Sequence, residues 1–122
     1  MKKRGLLAGL VLLSAAWLLA AEETPRSFVG EIGDSQCALN VHSLTRSHKE
    51  MLKSKSMGGN AADCANYCTK YLGGHFVLVV KNNVYHLDDQ TRAQNYAGQR
   101  VKLTGTLDAK SSTIHVVAIE PK

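Results

Sequence analysis

Five short stretches of this chain carry the period-two or unbroken apolar pattern of β-strands, and three carry the three-to-four spacing of helices. Phe28, Gly30 and Ile32 share one face of the first strand, residues 28–33, which ends at the turn-forming pair Asp34 and Ser35. Residues 76–80 are apolar throughout and predict a strand covered on both faces or central in its sheet. Lys81-Asn82-Asn83 then marks a tight hairpin, with asparagines tolerating positive φ, into a third strand at residues 84–87. In the fourth strand Val101, Leu103 and Leu107 alternate with Lys102, Thr104 and Thr106. After a polar turn at 108–112 the fifth runs over 113–119, with Ile114, Val116 and Ala118 on one face and Glu120-Pro121 as its stop.

The helical spacings fall between the strands. Leu44, His48, Met51 and Leu52 lie at i, i+4, i+7 and i+8 and predict an amphipathic helix with His48 on its apolar face. A second helix is expected to start at Asn60, with Asp63 in its first turn, and to stop near Leu72 before Gly73-Gly74. Its expected inner face is Cys64, Tyr67, Cys68 and Tyr71, which points two sulfurs the same way. Asp88-Asp89 can cap a third, short helix that presents Ala93, Tyr96 and Ala97 to the core and ends at Gly98.

This order predicts a mainly β protein with a helical insertion at about residues 37–74. A five-stranded OB-fold-like barrel fits it best, and an SH3-like barrel or an open α+β sheet is the alternative. The insertion then occupies the loop between strands one and two, beside the face where OB barrels bind their ligands.

The N-terminus changes the picture. Lys2, Lys3 and Arg4 precede an uncharged, mostly apolar run over residues 5–21, then Glu22, Glu23 and Pro25, the order of a secretory signal peptide. The expectation is cleavage near residue 21 and a periplasmic or secreted single domain over residues 22–122. No cysteine near the end of the run offers a lipid anchor, so no stable membrane attachment is expected. Cleavage removes three basic and no acidic residues, which lowers the formal charge from +5 to +2 and takes away the only Trp, Trp17. A weakly charged module without Trp is not expected to bind nucleic acid. Any partner would be an unknown extracytoplasmic ligand or protein.

All three cysteines lie in the insertion, at Cys37 and in the pair Cys64-x₃-Cys68. In an oxidising compartment three cysteines permit one disulfide and leave one thiol. Cys37 follows the first strand, and the helix carrying the other two leads into the second, so the expected bond joins Cys37 to Cys64 or to Cys68. That gives a binding or interaction module whose helical cap is pinned by the bond. The alternative is a metal centre: Cys37, Cys64 and Cys68 completed by His48 or His42 suit zinc, or copper if Met51 takes part. His75, His86 and His115 are expected as ordinary strand histidines. No motif with fixed catalytic spacing is present, so no catalytic residues and no enzymatic role are assigned.

Several of these residues recur together elsewhere. Gly30-x-Ile32-x-Asp34-Ser35-x-Cys37, His48-x-x-Met51, Cys64-x₃-Cys68 and Val84-Tyr85-x-Leu87 make the chain resemble a family of small exported bacterial OB-like proteins classed as a domain of unknown function. The usual Cys-Gly is Cys37-Ala38 here. The resemblance implies an exported β-barrel whose three cysteines belong together, and it implies no reaction.

Overall fold

The computed structural model of the protein describes residues 23–39 and 59–122. The leader and the expected helix carrying Leu44, His48, Met51 and Leu52 lie outside the described residues. The described elements, in chain order, are β1 (Arg26–Asp34), α1 (Ser35–Ala38), α2 (Ala61–Tyr71), β2 (Phe76–Val80), β3 (Asn83–Leu87), α3 (Gln90–Gln94), β4 (Arg100–Asp108) and β5 (Thr113–Pro121).

The five strands form one mixed sheet. Its pairings run β1-β2-β3-β5-β4 and return from β4 to β1, so each strand has a neighbour on both sides. All pairs are antiparallel except β3 with β5, which meet in parallel at His86 and Leu87 opposite Thr113 and Ile114. Inward residues from every strand make one core, with Phe28, Ile32, Leu78, Leu87, Leu103 and Ile114 buried together. Val77 faces away from Leu78 along β2 and is equally buried, as the unbroken apolar run predicts.

Three details depart from the pattern in the sequence. The β2–β3 hairpin closes over Lys81 and Asn82, since Val80 pairs with Asn83, and the positive φ of 53° falls on Lys81 rather than on an asparagine. In β5 the register shifts: Gly105 faces Val116 while Thr104 faces Ala118, which leaves Val117 as an extra residue. The bulge reverses the inward parity beyond it, so Ile119 is buried where Ala118 was expected and Val117 is exposed. The strand also continues through Pro121, which pairs with Val101.

The third departure concerns Asp88 and Asp89. Only Asp89 caps α3, accepting from the Arg92 N–H at 2.8 Å. Asp88 instead accepts from the Val116 N–H at 2.8 Å and lies 3.1 Å from His115 Nδ1, tying the end of β3 to β5. Burial pushes the Asp88 carboxyl up, but the Val116 N–H and His115 outweigh it and hold the pKa below the usual value. The helix is also shorter than expected. Ala93 and Ala97 are buried and Tyr96 packs against the core, but residues 95–98 continue as turns to Gly98. Gln90 fixes α3 against the sheet by accepting from the Phe76 N–H and donating to the Phe76 and Leu87 carbonyls, at 2.7, 2.8 and 3.0 Å.

Candidate metal centre

The site is built where β1 ends. Period-two alternation along β1 turns Phe28, Gly30 and Ile32 inward, and the same alternation carries Asp34 inward at the strand's last position. Asp34 then caps α1: its Oδ1 accepts from the Cys37 N–H at 2.9 Å. One turn of helix aims Cys37 back toward the cap.

The other two sulfurs come from α2. Asn60 caps it through the Asp63 N–H at 2.9 Å, as the sequence predicts, and Gly73 follows its end at φ 72°. Cys64 and Cys68, one turn apart, are both buried, and Tyr67 packs beside them. Tyr71, expected on the same face, is 61% exposed, because the buried stripe turns toward Ala65, which joins the main core.

Main-chain and side-chain hydrogen bonds lock the two helices together. Ser35 N–H donates to the His75 carbonyl at 2.9 Å, and His75 N–H donates to Ser35 Oγ at 3.0 Å. The Gln36 side chain donates to the Leu72 carbonyl at 2.9 Å. The start of α1 and the end of α2 are therefore held against the start of β2.

This brings three sulfurs and one carboxylate together. Cys37 Sγ lies 3.7 Å from Cys64 Sγ and 4.0 Å from Cys68 Sγ, contact distances between three free thiols. One ligand atom from each of Asp34, Cys37, Cys64 and Cys68 falls within 4.8 Å of all the others. Beside Cys37 and Asp34 a cleft of about 300 Å3 opens between Glu31, Gly33, Ala61 and Val79.

Among the described residues, the electrostatics are those of a site short of positive charge. Burial, then the charge of Asp34, then the neighbouring thiols push the Cys37 thiol far above its ordinary range. Burial, Asp34 and Cys64 push Cys68 up to about 12. Protonated thiols are poor nucleophiles. A bound divalent cation reverses this, since a coordinating thiol gives up its proton.

Of the residues singled out in the sequence, the structure gathers Cys37, Cys64 and Cys68. His42, His48 and Met51 lie outside the described residues. Asp34 was missed as a site residue, although its place in the 28-30-32-34 alternation marks it as inward-facing. Also missed was a histidine pair: His75 Nε2 lies 2.7 Å from His86 Nδ1, with the rings stacked at 4.9 Å. His75 precedes β2 rather than lying within it.

That pair is expected to give the protein a pH dependence. Burial, and then the proximity of His86, lower the pKa of His75. A base with a lowered folded-state pKa contributes stability that is complete above its unfolded value, about 6.5, and is lost as pH falls through that value toward the folded one. The urea midpoint is expected to drop between pH 7.5 and pH 5.0, and the His75→Asn variant to show a flatter profile. An unchanged slope in that variant would place the acid sensitivity elsewhere.

Comparison with known proteins adds one result to this geometry. Residues 71–122 match the model of a family described as Protein of unknown function (DUF5818). The DUF5818 match starts at the last residue of α2 and covers β2 to β5, so it takes in the sheet but none of the four clustered residues. No curated protein and no solved structure matches the chain.

Proposed function

We propose that this protein is an exported metal-binding module, periplasmic or secreted, in which an OB-fold-like barrel carries a thiolate-rich centre for zinc or copper on its helical cap. The observation that carries the reading is the convergence of three thiols from two separate segments. A tetrahedral metal with metal–sulfur bonds of about 2.3 Å holds its sulfurs ~3.8 Å apart, which is close to the spacing of Cys37 from both partners. The ring of strand pairings, with its one parallel pair between β3 and β5, supports the OB-like reading, and the order of the first 21 residues supports export. Among the described residues no helix is long and apolar enough to cross a membrane.

A second reading keeps the module and replaces the metal with a bond. Cys37 contacts both partners, so a modest side-chain rotation could close a disulfide of ~2.05 Å to Cys64 or to Cys68. The protein would then be a binding or interaction module with a pinned cap and one thiol left over. Intact mass, metal content and thiol alkylation of protein recovered from the periplasm separate the two. One metal per chain, three alkylatable cysteines and an N-terminus near Glu22 are expected. A metal-free protein with one alkylatable cysteine would replace the metal reading with the disulfide one.

A further inference from the structure

We infer that the Asp34 carboxylate is the fourth ligand of the centre, making it a closed Cys₃Asp set for a divalent ion such as zinc. The inference rests on the metal-binding reading above and changes its ligand set, because the sequence pattern had given the fourth place to His48 or His42. Three observations carry it.

The first is burial. Asp34 is only 3% exposed, and among the described residues no Lys, Arg or His forms an ion pair with it. A buried carboxylate without a counter-charge is costly, and proteins resolve that cost by pairing the charge or by coordinating a metal. Capping alone does not explain the charge, since a neutral Asn or Ser caps a helix equally well.

The second is orientation. The Cys37 N–H engages Oδ1, which anchors one carboxylate oxygen and leaves the other without a hydrogen bond among the described residues. Cys37 thus holds the carboxylate with its backbone while presenting its own sulfur to the same point. A hydrogen bond that orients a ligating carboxylate is a regular feature of metal sites.

The third is position. The carboxylate oxygen and the three sulfurs lie mutually within 4.8 Å, a cluster that a central ion can draw together onto one tetrahedron. Three thiolates and one carboxylate are a borderline donor set. It suits zinc better than copper(I), which favours all-sulfur surroundings. The cleft beside Cys37 and Asp34 gives the ion a route in.

The test uses the reduced mature chain, residues 22–122, titrated with cobalt(II) as a spectroscopic probe and with zinc. The wild type is expected to bind one cobalt with intense tetrahedral d–d bands and sulfur-to-metal charge transfer. The Asp34→Asn variant keeps the helix cap and the three sulfurs, yet should bind at least roughly a hundredfold more weakly with shifted d–d bands, since even partners that only orient a ligand are worth 10- to 100-fold. His42→Ala and His48→Ala should bind within about twofold of wild type. Full affinity in Asp34→Asn would overturn the inference and leave the metal-binding reading standing, and a loss in either histidine variant would then move the fourth place to that histidine. A wild type that takes up no metal would overturn both. If Asp34→Asn does not fold, zinc-edge X-ray absorption of the wild type decides: three sulfurs and one oxygen with the outer-shell carbon of a carboxylate support Asp34, and imidazole multiple scattering or an oxygen shell without that carbon refutes it.

Discussion

The Cys68→Ser variant is expected to lose stoichiometric zinc, binding at least roughly a thousandfold more weakly than wild type, and to release one proton fewer per metal bound. Cys68 is fully buried, its sulfur 4.0 Å from that of Cys37. A serine hydroxyl there stays protonated at neutral pH, is a weak zinc ligand and needs a hydrogen-bond partner of its own. The proton count follows from the protonated state of the thiols. With Cys68 pushed up to about 12, and Cys37 raised as well, these two thiols hold their protons at pH 7 and an incoming ion must displace them. Apparent affinity should therefore climb with pH by about tenfold per unit for each proton released, at least two in the wild type, from Cys37 and Cys68. Calorimetry in two buffers of different ionisation enthalpy reads the number directly. Metal uptake without proton release would mean that the thiols are not the ligands.

The largest loss of stability is expected at Gly98. Its φ is 72°, and its N–H donates to the Ile32 carbonyl at 2.7 Å, so the backbone cannot relax without breaking a contact to β1. A Cβ there would collide with the Ala62 N and would sit 2.7 Å from the Ala61 carbonyl carbon and the Ala62 Cα. Those atoms are the first turn of α2, the helix that carries Cys64 and Cys68. Gly98→Ala should cost about 3 to 5 kcal/mol, of which roughly 1 to 2 is backbone strain and the rest overlap with main chain that cannot rotate away. Gly73→Ala is the control, since Gly73 also has φ 72° but nothing within 4 Å of an added Cβ, and it should cost only about 1 kcal/mol. Urea denaturation of both variants isolates the packing contribution. Similar losses in the two would show that α2 does not rest on Gly98 as tightly as the geometry requires. Because α2 must move to admit the Cβ, Gly98→Ala should also weaken metal binding, although Gly98 touches no sulfur.

Much of the scaffold was legible in the sequence because strands and helix ends are specified locally. Period-two alternation marks the inward faces of β1 and β4, since neighbouring side chains on a strand must point to opposite sides. Asn60 and Asp63 mark the start of α2, and Gly73 its end, because caps are made by the residues next to them. Local pattern also put two sulfurs on one face of α2. It failed where pairing across strands decides: the bulge at Val117 that turns Ile119 inward is imposed by the register against β4. It failed again at Asp88, whose partners Val116 and His115 are far along the chain.

The candidate centre divides in the same way. The sequence by itself determined which residues carry sulfur, which helix presents two of them and that Cys37 stands just past a strand. Only the tertiary structure decided that Asp34 joins them. A carboxylate at a strand end reads locally as a turn or a helix cap, and Asp34 is one. Its second role exists only because β1 delivers it to the interior while α2, some thirty residues later, closes over the same point. Burial without a counter-charge among the described residues is a property of that closure, and no spacing along the chain encodes it.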